Sequence, residues 1–376
     1  MFPKLNSLPT AATFMAAGLN GPKPRTQMSP PSLIETHPNL SDAAPVALSY
    51  ELFPPRSPAA AETLWTTIRE LETTEPDYVS VTYGASGSNR DTAVELINRL
   101  LLETTLRPLA HLTCVGNTPQ ELAGIIGQLL DTGVRGILAL RGDLPADGQV
   151  TDGSLRYAQD LIELIRRVEQ RRSALLCAGK IAVGVAAYPA RHPESPSEEH
   201  DVEVLLAKQR SGADFAITQV FFHADQYADL LTRARRAGVT IPIIPGVMPL
   251  TSLRRLNRLG ELTGVEPAPE LTAKLAAADT DLERLHIGVD ATVDLSNAAL
   301  DAGAPGIHIY TFNEHQSALE VLDKLALPRR GRAGVRPAST VRPPARRLTQ
   351  HTRRPRSLTP PWSGSSALPS FPLCLR

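Results

Sequence analysis

The chain has 376 residues, 42% hydrophobic and 21% charged, which excludes a fibrous or wholly disordered polymer and leaves room for one large domain or two average ones. Aromatic residues make up only 5%, so any core is aliphatic, and no apolar run reaches the roughly 18 residues of a membrane helix. The net charge of zero hides a segregation: from Arg329 onward there are 11 arginines and no lysine, aspartate or glutamate, so residues 1–328 hold 28 basic against 39 acidic residues.

Residues 1–45 are rich in Pro, Ser, Thr and Ala and show no sustained period. They lack both a signal-peptide apolar run and an Arg-rich amphipathic helix, so a flexible N-terminal extension is expected, with Met15 and Met28 as alternative starts. From 46 to 327 short β-rich runs alternate with longer stretches of helical spacing. The runs are Val46–Phe53, Asp77–Tyr83, Leu109–Cys114, Val134–Arg141, Lys180–Ala187, Phe215–Phe221, Ile241–Gly246 and Gly306–Tyr310. Helices are expected over Ala60–Thr74, Arg90–Thr105, Pro119–Thr132, Leu155–Arg172 and Gln316–Leu325, with Thr118 as an N-cap before Pro119, and Gly133 and Gly212 where helices hand over to strands. Eight such units, with strands apolar on both faces, predict an α/β fold: a single (β/α)8 TIM barrel over 46–327. A doubly wound sheet is disfavoured because the first turn, Phe53-Pro54-Pro55-Arg56, has no glycine fingerprint for a dinucleotide. The long interval from Ile241 to Gly306 calls for an extra helix, placed within Glu270–Ala278.

Residues 328–376 are Arg- and Pro-rich and are expected to be a disordered tail. An arm for nucleic acid is the sharper reading of those arginines, but no nucleic-acid fold or interleaved aromatics accompany it, so nucleic acid is not expected as a partner. Neither is a membrane. Cys114, Cys177 and Cys374 are too few and too scattered for a disulfide framework or a zinc site, which suggests a reducing, cytoplasmic setting.

In a barrel, chemistry sits at the C-terminal ends of the strands. Those ends supply Glu51, Thr82 with Tyr83, His111 with Thr113, Arg141 with Asp143, Tyr188 with His192, Gln219, and Tyr310 with Asn313. The seventh strand instead runs into the apolar Pro245-Gly246-Val247-Met248-Pro249, suited to a flat ring. Glu51, flanked by Leu52 and Phe53, should be poorly solvated, which raises a carboxyl pKa and makes a general acid useful near neutrality. The competing reading is a buried glutamate paired with an arginine such as Arg141. Asp143 lies in a tight turn where it could satisfy its own backbone, and Asp201 and Lys208, on spacing alone, read as surface charges of a helix. His111 and His192 belong to no His-x-His or His-Glu-x-x-His array, so no metal site is expected. Gln219, after a strongly apolar strand, brings both a donor and an acceptor to the mouth.

Taken in order, Tyr50-Glu51-Leu52-Phe53-Pro54-Pro55-Arg56, Ser80-Val81-Thr82-Tyr83-Gly84-Ala85, His111-Leu112-Thr113-Cys114, Leu140-Arg141-Gly142-Asp143-Leu144-Pro145, Ala187-Tyr188-Pro189 with His192-Pro193-Glu194, and Ile217-Thr218-Gln219 resemble the bacterial methylenetetrahydrofolate reductase family over about 46–326. The resemblance implies a flavin-dependent barrel that reduces 5,10-methylenetetrahydrofolate to 5-methyltetrahydrofolate, with FAD as cofactor and NADH or NADPH as hydride donor. It makes Glu51 the acid that protonates folate N10, and places Asp143 by the flavin ring and the folate. It assigns FAD contacts to Thr82, Tyr83, Ala85, His111, Arg141, Gly142, Asp143, Tyr157, Ala158, Tyr188, His192, Asp201 and Lys208. Gln219 would touch folate and nicotinamide in turn, which is ping-pong chemistry over one flavin face, and a homo-oligomer is expected by analogy. Four positions depart from the pattern: Leu253 stands where the family often has a stacking aromatic, Glu314 where it has an arginine, and Val204 and Ala207 where others place polar FAD ligands. Two other readings stay open on the sequence alone: a cofactor-free barrel lyase using Glu51 as acid, and a non-catalytic barrel homologue.

Overall fold

A computed structural model describes residues 46–82, 90–143, 153–172, 179–325 and 327. The chain alternates strand and helix from the start: β1 (Ala47–Leu52), α1 (Pro58–Glu72), β2 (Tyr78–Val81), α2 (Arg90–Glu103), β3 (Pro108–Thr113), α3 (Pro119–Asp131), β4 (Gly136–Leu140), α4 (Ala158–Arg171), β5 (Ala182–Ala187), α5 (Glu198–Arg210), β6 (Phe215–Thr218) and α6 (Ala224–Arg236). Then come two short strands, β7 (Ile243–Ile244) and β8 (Gly246–Val247), three helices α7 (Leu253–Thr263), α8 (Pro269–Ala277) and α9 (Asp281–Asp301), and finally β9 (Gly306–Tyr310) and α10 (His315–Leu325). All pairings are parallel, in the order β7-β6-β5-β4-β3-β2-β1-β9-β8. The expected eight-unit barrel is therefore present.

The expected seventh strand, Ile241–Gly246, is cut at Pro245. Proline has no N–H for a ladder bond. On one side of it β7 pairs with β6, on the other β8 pairs with β9, and the Pro245 carbonyl still accepts from His308 N at 3.0 Å. One broken strand thus closes the ring. The interval after it holds α8 where an extra helix was expected, but α7 and the 21-residue α9 flank it. A capping box between Thr280 and Glu283 starts α9, as Thr118 and Glu121 do for α3. Gly133 and Gly212 follow α3 and α5 with positive φ, at the handovers anticipated for them.

The strand alternation splits the core in two. Leu48, Tyr50, Leu52, Val79, Val81, Ile137, Val183 and Ile307 face outward against the helices. Tyr78, Leu109, Leu138, Phe215, Ile217, Ile244 and Tyr310 fill the ring. At the closing strand the fit is tight: a Cβ on Gly246 would lie 2.4 Å from the Thr218 carbonyl oxygen and 2.5 Å from a Tyr310 ring carbon. Gly246→Ala should therefore destabilise the fold by about 2 kcal/mol, the usual scale of overpacking, and lower Tm by roughly 4–8 °C. Thermal denaturation checks it; an unchanged Tm would mean the closure tolerates the methyl.

Candidate active site

The interior of the ring turns polar toward the strand ends. Because side chains alternate, Ser49 and Glu51 share the inward face of β1 while Tyr50 and Leu52 face the helices. Glu51 is only 2% exposed, with Ser80 and Tyr310 as its register neighbours on β2 and β9. Burial alone pushes its carboxyl up to about 8. His111 on β3 reaches it, Nε2 to Oε2 at 3.6 Å, and burial pushes that imidazole down to about 3. Both groups are therefore neutral at pH 7, and their contact is not an ion pair. Arg141 does not pair with Glu51. Its guanidinium grips Glu194 with two bonds of 2.6 and 3.0 Å, which removes the competing reading of Glu51.

Sequence reasoning passed over the groups beneath the carboxyl. His308 on β9 is fully buried, pushed down to about 3 by desolvation, and bonded through Nδ1 to the Ser49 hydroxyl at 2.8 Å. Among the described residues, both ring nitrogens of His111, His308 Nε2 and the Ser80 hydroxyl find no hydrogen-bond partner. Period-two spacing from Glu51 and Tyr310 was the available signal for Ser49 and His308. Such buried polar atoms are rare in native interiors, and they surround the acid here.

Beside this interior, the ends of β4 and β5 and the starts of α4 and α5 enclose a cleft of about 540 Å³. It is lined by Arg141, Tyr157, Ala158, Tyr188, His192, Asp201 and Lys208, all singled out from the sequence, together with Glu194 and Val204. Leu140 and Ala186 form its floor and also belong to the ring interior. The cleft and the ring therefore share a wall. Lys208 is not the surface charge its helical spacing suggested. It is 8% exposed, donates to the Ala186 carbonyl at 2.9 Å, and is pushed down to about 8 by desolvation. Asp201 accepts from His192 N at 2.9 Å, and the His192 ring meets Tyr188 edge-on at 4.7 Å. Tyr157, whose backbone N–H is held by Asp160, is 58% exposed on the cleft wall.

Gly142 has φ +86, and a Cβ there would lie 2.9 Å from Thr113 Cβ, so the turn between Arg141 and Asp143 needs glycine on two counts. Asp143 is half-buried beside it, and its charge acts on both Arg141 and Tyr188. Thr82 and His111 lie in the ring rather than in the cleft; the Thr82 hydroxyl donates to the Leu52 carbonyl at 3.3 Å. Tyr83 and Ala85 fall outside the described residues. Gln219 is buried at the end of β6 with Oε1 accepting from Val220 N at 2.9 Å. Met248 and Leu250, which follow the closing strand, are buried beneath α8 and α9, where they line a second cleft with Leu271, Ile287 and Thr292. No group of three or more metal-ligating side chains occurs, and no helix is long and apolar enough to cross a membrane, among the described residues.

The raised acid has a thermodynamic signature. Its folded pKa lies above the ordinary 4.5, so folding binds a proton, and the associated stability is complete below pH 4.5 and drains as pH rises toward 8. Glu51→Gln should match the wild type near pH 4.5 and become the more stable protein above it, by about 1.4 kcal/mol per pH unit at most, levelling off near pH 8. Urea unfolding across pH measures this; a constant difference would show the carboxyl to be solvated.

A family model for methylenetetrahydrofolate reductase matches residues 35–326. The chain is 33% identical over 293 residues to the 5,10-methylenetetrahydrofolate reductase of Pectobacterium carotovorum subsp. carotovorum, covering 78% of this chain and 91% of that one. It is equally similar to the same-named protein of Escherichia coli (strain K12), covering 92% of it, and 29% identical to methylenetetrahydrofolate reductase 1 of Schizosaccharomyces pombe, covering 47%. In fold it is similar, at a TM-score of 0.53 and 16% identity over 76% of this chain and 95% of the other, to an uncharacterized protein from Clostridium thermocellum that binds two copies of 5-methyl-5,6,7,8-tetrahydrofolic acid. With a closed barrel, a neutral buried acid and a match across nearly all of the described residues, the chain belongs to the methylenetetrahydrofolate reductase family.

Proposed function

We propose that this chain reduces 5,10-methylenetetrahydrofolate to 5-methyltetrahydrofolate with NADH or NADPH, using bound FAD, the two substrates taking turns at one face of the flavin. The observation that carries this reading is a carboxylic acid kept protonated at neutral pH, next to a cleft lined by the residues assigned to the flavin. The cleft suits a dinucleotide flavin on its own chemistry. Arg141 and the buried Lys208 offer cations to phosphate or ring oxygens, Asp201 offers a carboxylate to ribose hydroxyls, and Tyr157 leaves an aromatic face exposed. The glycine at 142 lets backbone come close where any side chain would collide.

When bound, the flavin supplies hydride transfer from nicotinamide to folate. The protein handles the proton. Glu51, neutral below about pH 8, donates its proton to N10 of the bridged folate, so that the ring opens to an electrophilic iminium at N5. His111, neutral and 3.6 Å away, cannot take that proton from it at pH 7, so the acid keeps it until substrate arrives. Asp143 places a negative charge near Arg141 and Tyr188, and a cationic iminium beside it would be favoured. Gln219, donor and acceptor in one group, would orient the pterin and then the nicotinamide amide.

The experiment is an anaerobic pair of half-reactions. NADH or NADPH should bleach the flavin of the yellow protein, and methylenetetrahydrofolate should restore its colour. Glu51→Gln should keep the first half-reaction and slow the second by roughly 10²–10⁴-fold, the ordinary worth of a positioned acid. In the wild type the second should fall away as pH rises through about 8, while the first lacks that limb. Retained folate turnover in the variant would remove Glu51 from the mechanism. Lys208→Met should fold yet release flavin on gel filtration, read by absorbance; full flavin retention would leave that lysine a purely structural cap on the Ala186 carbonyl.

A further inference from the structure

Proton transfer from Glu51 carries a cost. Once the proton has gone, a carboxylate stays behind in the same dry interior that pushes its pKa up to about 8. A cation beside it would offset that cost, but it would also ionise the acid before substrate arrives. A neutral donor avoids this, because it favours the anion without supplying a charge.

His111 is placed to be that donor. It stands on β3, two residues beyond the register partner of Ser80, and Ser80 on β2 is the register partner of Glu51. Its Nε2 lies 3.6 Å from Glu51 Oε2, just beyond hydrogen-bond length, and both side chains are buried. Catalytic contacts of this kind are often long before reaction and tighten during it. The tautomer of a neutral histidine is set by the bond its other nitrogen makes. Nδ1 of His111 has no such bond, so Nε2 is free to carry the hydrogen.

The other titratable groups around the carboxyl are uncharged or engaged elsewhere. On β2 and β9, burial raises the Tyr78 and Tyr310 hydroxyls and pushes His308 down to about 3. Tyr310 donates to the Thr218 carbonyl at 2.8 Å, and His308 Nδ1 is joined to the Ser49 hydroxyl. At the ends of β4 and β5 stand Arg141, paired with Glu194, then Asp143 and Tyr188; from α5 come Asp201, which accepts from His192 N, and Lys208, on the Ala186 carbonyl.

We propose that His111 is a positioning residue for the acid: its Nε2–H closes on Glu51 Oε2 as the carboxylate forms and stabilises the anion left in the ring. This rests on the reading of Glu51 as the folate acid. The O–H bond of Glu51 breaks as the N–H bond at N10 forms, and His111 stays neutral throughout. Solvent returns a proton to Glu51 after the product leaves.

The test reads the acid with and without chemistry. His111→Leu removes the donor at similar volume, and His111→Gln restores one near the place of Nε2. The stability difference made by Glu51→Gln levels off near pH 8 in the wild-type background. In His111→Leu it should level off about one pH unit higher, a tenfold change in acid dissociation, which is the scale of one hydrogen bond to a charged group. In His111→Gln it should return toward 8. On the flavin-loaded full chain, folate-driven reoxidation should slow about tenfold in His111→Leu, with its upper pH limb moved by the same unit, and recover in His111→Gln. A plateau and limb that stay near 8 in His111→Leu overturn the proposal, since a packing or flavin-contact role would slow the enzyme without moving either. Should His111→Leu not fold, nitrogen NMR of isotope-labelled histidine in the wild type decides. The His111 Nε2–H signal should shift as Glu51 ionises near pH 8 and stay still in Glu51→Gln; a hydrogen on Nδ1, or a signal blind to that ionisation, overturns the proposal. If the plateau moves in His111→Leu while the wild type shows no folate-driven reoxidation, the hydrogen bond stands and the folate reading alone has failed.

Discussion

The site depends on the burial of one carboxyl group without a cation. Ionising Glu51 inside the ring would strand a charge in a medium far less polar than water, so the protein keeps the proton instead. Every neighbouring choice is consistent with that. The imidazole beside it is pushed the other way by the same burial and stays uncharged, and the Arg141 guanidinium is occupied with Glu194. Had Arg141 turned toward Glu51, the carboxyl would ionise and the acid would be lost. The bidentate Arg141–Glu194 contact is therefore as much a part of the acid as the strand that carries it.

The same logic separates the two halves of the site. The ring interior is neutral and poor in cations, whereas the adjoining cleft collects Arg141, Lys208, Asp201, Glu194 and His192 within one set of walls. One side thus holds a neutral, buried acid and the other a set of charged and hydrogen-bonding side chains. Their shared wall, Leu140 and Ala186, is apolar and buried. Lys208 illustrates how far placement sets chemistry: a lysine on a helix, buried against a strand-end carbonyl, becomes a cation that gains from an anionic neighbour.

Much of this was legible in the sequence, for identifiable reasons. Strand-then-helix alternation is a strong periodic signal, and a polar residue ending an apolar strand stands out; Glu51, Arg141 and Gln219 were found that way. Capping signals also transferred, since Thr118 and Glu121 act locally and need no tertiary context. What could not be read was set by contacts between distant segments. The split of the seventh strand needed β6 and β9 on either side of Pro245, and α9 lacks clean helical spacing, whereas α7 carries a clear apolar stripe in Leu253, Leu256 and Leu259 that the reading passed over. Lys208 looked like a surface charge because helical spacing does not say which neighbour covers a face. Ser49 and His308 are 259 positions apart in the chain and meet only when the ring closes.

The departures from the family pattern also look different in space than in sequence. Leu253, a lost aromatic, and Glu314, a reversed charge, lie 61 residues apart, and read singly each weakens the site. Folded, they belong to one patch: Leu253 opens α7 two residues before Arg255, and Phe312 precedes Glu314 by two. The aromatic absent at 253 has a counterpart in Phe312, and the cation absent at 314 has one in Arg255. A ring and a positive charge therefore do stand together at this rim, supplied by residues whose sequence positions alone did not point to them, and the Arg255–Glu314 pair ties the loop after β9 to the first turn of α7.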